Sequence, residues 1–226
     1  MNTLVELAAR AEGQPPPLGD GPYSYVHTRG WYSATAQMTG GRILDARVEE
    51  TEREFWVAAD GSGRIEETRD GRRTRTSGIY GPGGLSPGPL AAAPPGVPAH
   101  VAVRQDRSPR PVGLIKDVAS LWQIQTVTPA LQAGLLRHLA TEPGLRREET
   151  TDRAGRPGLA VSADDPLSHS GFRSRHVLAL DPETGMLLAA EEITLQRGDL
   201  PAGMPDPHSY TYWIRTGHAP DPDTRP

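Results

Sequence analysis

Side-chain polarity along this 226-residue chain changes mostly with a period of two, and in only three stretches with the helical period. From Tyr23 to Ala34, one face carries Tyr23, Tyr25, His27, Arg29 and Trp31. The other carries Ser24, Val26, Thr28, Gly30 and Tyr32. Arg47 to Ala59 predicts a second strand whose Glu50, Glu52, Glu54 and Trp56 share a face. Asp60-Gly61-Ser62-Gly63 turns into a third strand, Arg64 to Arg69. Asp70-Gly71 is a strong type I′ hairpin signal, so Arg72 to Tyr80 returns beside it. A second series comprises Leu145 to Asp152, Gly158 to Ser162, Arg175 to Leu180, Met186 to Gln196 and Ser209 to Thr216. Arg153 to Arg156 and Asp181-Pro182-Glu183-Thr184-Gly185 are its tight turns.

The helical stretches are short. Thr3-Leu4-Val5-Glu6 reads as a capping box, followed by Leu4, Leu7, Ala8 and Ala11 on one face. Leu114 to Gln123 places Leu114, Val118, Leu121 and Trp122 together. Thr128-Pro129 starts a third helix, with Leu131, Leu135 and Leu139 in line and Pro143-Gly144 as its stop. The pattern predicts an α+β domain: a curled antiparallel sheet, a half-barrel of about eight or nine strands, with helices packed on its concave face. Residues 1–22 form an N-terminal helix and linker, 23–217 a single domain, and 218–226 a disordered tail rich in Pro and Asp. Within the domain, Gly81 to Gly113 holds eight Pro and six Gly, so it reads as a surface loop.

Composition narrows the function classes. Hydrophobic residues make up only 36%, while 25 Gly and 23 Pro demand many turns. The net charge of −4 lacks the basic face of a nucleic-acid binder. Cysteine is absent, which removes disulfides, thiolate catalysis and Cys-type zinc sites. Met1 to Ala11 lacks the features of a signal peptide, and no apolar run approaches a membrane span.

Several segments then carry a resemblance. They are Tyr23-Ser24-Tyr25, the run from Phe55 to Arg64, Ala154-Gly155-Arg156-Pro157-Gly158 and Asp181-Pro182-Glu183-Thr184-Gly185. In order and spacing the chain resembles the LolA/RseB-type half-barrel, and more specifically an actinobacterial family related to anti-sigma-factor outer domains. The resemblance implies an extracytoplasmic binding or sensory domain, with no catalytic residues to carry over.

The residues themselves offer little chemistry. The seven His show no His-x-x-x-His spacing, and no metal or cofactor is expected. Glu49, Glu50, Glu52 and Glu54 crowd one strand and read as cross-strand ion pairs with Arg29 or Arg72 to Arg75 rather than a carboxylate couple. Ser168-His169-Ser170 lacks a nucleophile elbow, and Asp164-Asp165 reads as a polar loop. Trp56 and Trp122 are expected in the sheet–helix core. Tyr25, His27, Trp122, His176, Glu192, Tyr210 and Tyr212 are the candidate ligand-binding residues. Their ligand would be lipid-like or peptide-like, or a regulatory protein, held in the mouth between sheet and helices. The rival reading is a cavity enzyme, a cyclase or isomerase using Tyr25, His27, His176, Glu192 and Tyr212 on a small hydrophobic metabolite.

Overall fold

The computed structural model describes residues 3–37, 43–85, 111–166, 173–196 and 208–226. Its elements are α1 (Thr3–Glu12), β1 (Tyr23–Gln37), β2 (Ile43–Val57), β3 (Gly63–Arg69), β4 (Arg72–Arg73) and β5 (Gly78–Tyr80), then α2 (Val112–Ile124) and α3 (Pro129–Thr141). There follow β6 (Arg146–Thr151), β7 (Pro157–Asp165), β8 (Arg173–Leu180), β9 (Leu187–Gln196) and β10 (Ser209–Ala219). The ten strands form one antiparallel sheet in the order β4-β3-β2-β1-β10-β9-β8-β7-β6, with β5 also on β3. The sheet stays open, so the fold is the expected α+β half-barrel.

One strand more than expected arises because Arg72 to Tyr80 is not continuous. Glu67 is engaged by a loop: Thr74 N–H and the Ser77 hydroxyl both donate to its carbonyl at 2.9 Å, and Ser77 Oγ accepts its N–H at 2.9 Å. β4 and β5 therefore pair with β3 on either side of that loop. At the far edge, β6 reads Arg-Arg-Glu-Glu-Thr-Thr and is exposed along most of its length. Arg147 reaches back from it, donating to the carbonyls of Leu139 and Ala140 at 3.3 and 3.2 Å and satisfying the end of α3.

The main core lies between the helices and one face of the sheet. Leu4 and Leu7 of α1, Ile115 and Leu121 of α2, and Leu135, Leu136 and Leu139 of α3 meet Val26, Val161, Leu178, Leu180 and Trp213. Helix α1, expected as a separate leading segment, is thus part of this core, with Leu4, Leu7, Ala8 and Ala11 buried. The Asp181–Gly185 turn forms as predicted, and Gly185 adopts φ +72° where a Cβ would lie 2.8 Å from Leu7 O beneath α1. Phe55, Val57, Ile65 and Leu85 form a second cluster beside Ile124.

Burying two indoles creates two donors that need acceptors. Trp213 Nε1 donates to Trp122 O at 2.8 Å, and Trp122 Nε1 donates to Gln132 Oε1 at 3.1 Å. Gln132 Nε2 donates in turn to Gly185 O at 2.5 Å. This buried relay joins β10, α2, α3 and the β8–β9 turn. It depends on a bulge: His27 faces Arg215 but Thr28 faces Trp213, so Ile214 is the extra residue and Trp213 turns toward the helices. Nearby, a Cβ on Gly30 would sit 1.9 Å from Tyr210 O, so only glycine lets β1 and β10 approach this closely.

Residues 218–226, expected as a disordered tail, are instead packed. β10 runs through Ala219, Asp221 caps a turn by accepting Asp223 N–H at 2.9 Å, and Trp56 Nε1 donates to Thr224 O at 2.7 Å. Trp56 accordingly lies on the opposite face of the sheet from the helices, in a cluster with Tyr25 and Ala219, not in the sheet–helix core. Its position follows from period-two alternation with Phe55, which takes the inner face.

Gln132→Ala strips partners from Trp122 and Gly185 together, so it is expected to lower unfolding free energy by about 2–4 kcal/mol in urea denaturation. A loss below about 0.5 kcal/mol would mean the relay does not hold the helices.

Candidate functional site

The inner face of the sheet is divided at one level. On β2 it passes from Phe55 to Arg53, Thr51 and Glu49; on β1 from Val26 to Thr28, Gly30 and Tyr32. On β10 Trp213 gives way to Thr211 and Ser209, and on β8 Leu178 gives way to His176 and Ser174. The apolar half is covered by the helices. In the polar half Tyr32, Thr51, Arg53, Glu192, Ser209 and Thr211 remain half-exposed.

Arg53 is the unusual group on this floor. Its guanidinium carbon lies 4.6 Å from the centre of the Phe55 ring. Its Nε is buried with no acceptor, and among the described residues no carboxylate pairs with it. Glu67, the charge it senses across the strand, is taken by Arg69 at 3.1 Å. Burial pushes the Arg53 pKa down, with Glu67 and Tyr80 opposing. Its neighbours are satisfied. Glu49 accepts from Tyr32 OH and, at 2.5 Å, from Arg47, which together hold its carboxyl below the usual range. Burial, then the Glu49 bond, raises Tyr32 to about 12.

Farther along, His176 Nε2 lies 3.4 Å from Ser174 Oγ and 3.8 Å from Glu192 Oε1. Both contacts use the same ring nitrogen, whereas a Ser–His–carboxylate relay needs one nitrogen for each partner. Ser174 is also fully buried. Lys116 of α2 stands 3.6 Å from the buried Asp165.

The outer face is an ion-pair lattice. Glu52 accepts from His27 at 2.8 Å and pairs with Arg29 at 2.9 Å. Glu54 accepts from Tyr25 OH at 2.6 Å and from Arg225 at 2.5 and 2.8 Å. Burial raises the Glu54 pKa, but the Arg225 and Tyr25 hydrogen bonds outweigh it and leave the carboxyl below its ordinary value. Elsewhere on this face Tyr210 stacks on Tyr212 (5.6 Å) and meets Trp31 at a tilt (4.7 Å). Arg153 lies over Trp31 at 5.9 Å. The buried Tyr210 hydroxyl has no hydrogen-bond partner among the described residues, and burial, then the charge of Asp152, lifts its pKa to about 12.

The seven candidate ligand residues therefore occupy three places. Tyr25, His27, Tyr210 and Tyr212 belong to the outer face, His176 and Glu192 to the inner floor, and Trp122 to the core beneath the helices. Tyr210 and Tyr212 do share a face, as alternation predicts. The five residues of the cavity-enzyme reading straddle the sheet and share no single cavity. Arg53 was missed, although its signal was present: a basic residue alternating with Phe55, opposite in phase to Glu50, Glu52 and Glu54. Ser168-His169-Ser170 and most of the 81–113 loop lie outside the described residues. Among the described residues no cluster of His, Asp and Glu could hold a metal ion, and no helix is long and apolar enough to cross a membrane.

No family model and no curated protein matches the chain. The solved structures to which it is similar include two MucB complexes. One is a crystal structure of MucB in complex with MucA(peri), at 18% identity and a TM-score of 0.29, covering 97% of this chain and 57% of that one. The other is the Pseudomonas aeruginosa MucA/MucB complex, at 19% identity and the same TM-score, covering 98% and 59%. The chain thus spans less than two thirds of either.

The carboxylates of Glu49, Glu52, Glu54, Glu66 and Asp164 are all held below their ordinary pKa. Depressed carboxylates stabilise the fold above their unfolded pKa, and that contribution is lost as pH falls through the folded value. Stability in urea is therefore expected to drop below about pH 4. Glu54→Gln is expected to lower it at neutral pH and flatten the acid decline; an unaltered decline would place the acid sensitivity elsewhere.

Proposed function

We propose that this chain is a non-enzymatic binding domain of the sensory kind, which holds an acidic, peptide-like segment of a regulatory partner on the uncovered half of its concave face. One observation carries the reading: Arg53, on a half-exposed polar floor, has no acceptor of its own among the described residues. A buried guanidinium Nε without an acceptor is costly, and a carboxylate is the planar acceptor that fits the group. The polar lining of Thr51, Thr211, Ser209 and Glu192 supports a peptide-like ligand over a lipid-like one, since hydrocarbon would leave these groups unsatisfied.

The route for a signal begins at the same residue. Arg53 rests on Phe55, and Phe55 packs in the cluster that Ile124 of α2 joins. A ligand that draws the guanidinium off the ring changes the support of α2, and with it the α2–α3 pair.

Native mass spectrometry of the protein purified gently from its own host tests this, with Arg53→Glu prepared in parallel. The expected result is a polypeptide retained at one-to-one stoichiometry and lost from the variant. A retained apolar lipid, an empty wild-type chain, or equal retention by Arg53→Glu would each overturn the reading.

A further inference from the structure

We infer that Tyr25, Glu54, Trp56 and Arg64 on the outer face form a recognition site for turn-borne segments carrying Asp-x-Arg, held by a partner polypeptide and filled in cis by residues 221–226. This inference concerns the opposite face from Arg53 and does not rest on the reading above.

The cis segment displays what the site recognises. Arg225 forms a two-pronged pair with Glu54, Nε to Oε2 at 2.5 Å and Nη2 to Oε1 at 2.8 Å. Tyr25 OH, donating to the same carboxylate at 2.6 Å, fixes its orientation. Trp56 Nε1 reads the backbone, donating to Thr224 O at 2.7 Å. Two residues before Arg225, Asp223 pairs with Arg64. Arg64 and Arg225 flank the Trp56 ring, their guanidinium carbons 5.8 and 6.0 Å from its centre. Acid, backbone carbonyl and arginine are thus each met by a separate side chain. That set specifies a pattern rather than a general affinity for charge.

The segment lies outside the sheet and is held by side chains, Arg215 donating to Pro226 O at 2.8 Å in addition to the contacts above. Asp221, Asp223, Thr224 and Arg225 are exposed. None of residues 220–226 pairs in the sheet, which ends at Ala219. The turn at Asp221 is local, with Asp223 N–H and the Thr224 hydroxyl on its carboxylate at 2.9 and 3.0 Å. Beneath the segment lie Tyr25 at 0% and Trp56 at 2% exposure, large aromatics that its departure uncovers. Tethering at Ala219 gives the cis segment a high effective concentration, so a competing segment binds only when the cis contacts are weakened or its own affinity is higher.

The test uses the full chain and a synthetic peptide with the sequence of residues 219–226. Isothermal calorimetry is expected to show one-to-one binding to Arg225→Ala protein, at least about ten-fold weaker binding to the wild type, and none to Arg225→Ala combined with Glu54→Gln. Equal binding to wild type and variant would overturn the proposal, as would no binding to Arg225→Ala or undiminished binding of a peptide whose arginine is replaced by alanine. A second measurement needs no substitution. Hydrogen exchange of the Trp56 indole N–H is expected to be at least about ten-fold faster than that of Trp122 and Trp213, whose N–H groups lie in the core. Equal rates would mean the segment opens only with global unfolding, and the proposal would fail.

Discussion

Two buried indoles on facing elements set the terms of this fold. An indole N–H removed from water needs an acceptor, and here each acceptor belongs to another element. Trp213 reaches the backbone of Trp122, Trp122 reaches Gln132, and Gln132 closes on Gly185. The bulge at Ile214 points Trp213 inward, and the helices then have one position relative to the sheet in which all three bonds exist. Apolar packing of Leu135, Leu178 and their neighbours supplies most of the burial, but it is non-directional; the relay selects the orientation.

Once the helices are placed, the remaining inner face is determined. They cover the apolar positions of β1, β7, β8, β9 and β10 and stop where those positions become polar. A half-barrel filled along its whole length would be a simple two-layer core. This one leaves a floor that water reaches, with a guanidinium whose local partners are already committed to one another. The outer face solves a different problem. Glu52 and Glu54 of β2 are met there by His27, Arg29 and a segment that returns from the far end of the described chain.

Much of this was legible in the sequence because the information was local. Period-two alternation located the strands, Asp70-Gly71 and Asp181 to Gly185 located the turns, and Thr128-Pro129 started α3. What alternation does not carry is which of its two faces meets the helices. His176 was therefore grouped by chemistry with Tyr25 and His27 although the sheet separates it from them. The placement of Trp56 followed the same ambiguity. Residues 218–226 were read from Pro and Asp content alone, which reports that no helix or strand forms, not that nothing binds the segment. Its order comes from Glu54 and Trp56, some 170 positions away in sequence.

An open sheet also has two sides where growth by strand addition could begin. β4 is only two residues long, and β6 presents Arg and Glu with Arg147 drawn onto α3. Neither offers the long, flat, apolar rim from which fibres nucleate. Copies of this domain held at high density, on a surface or in a crowded array, would therefore not join edge to edge through β4 or β6.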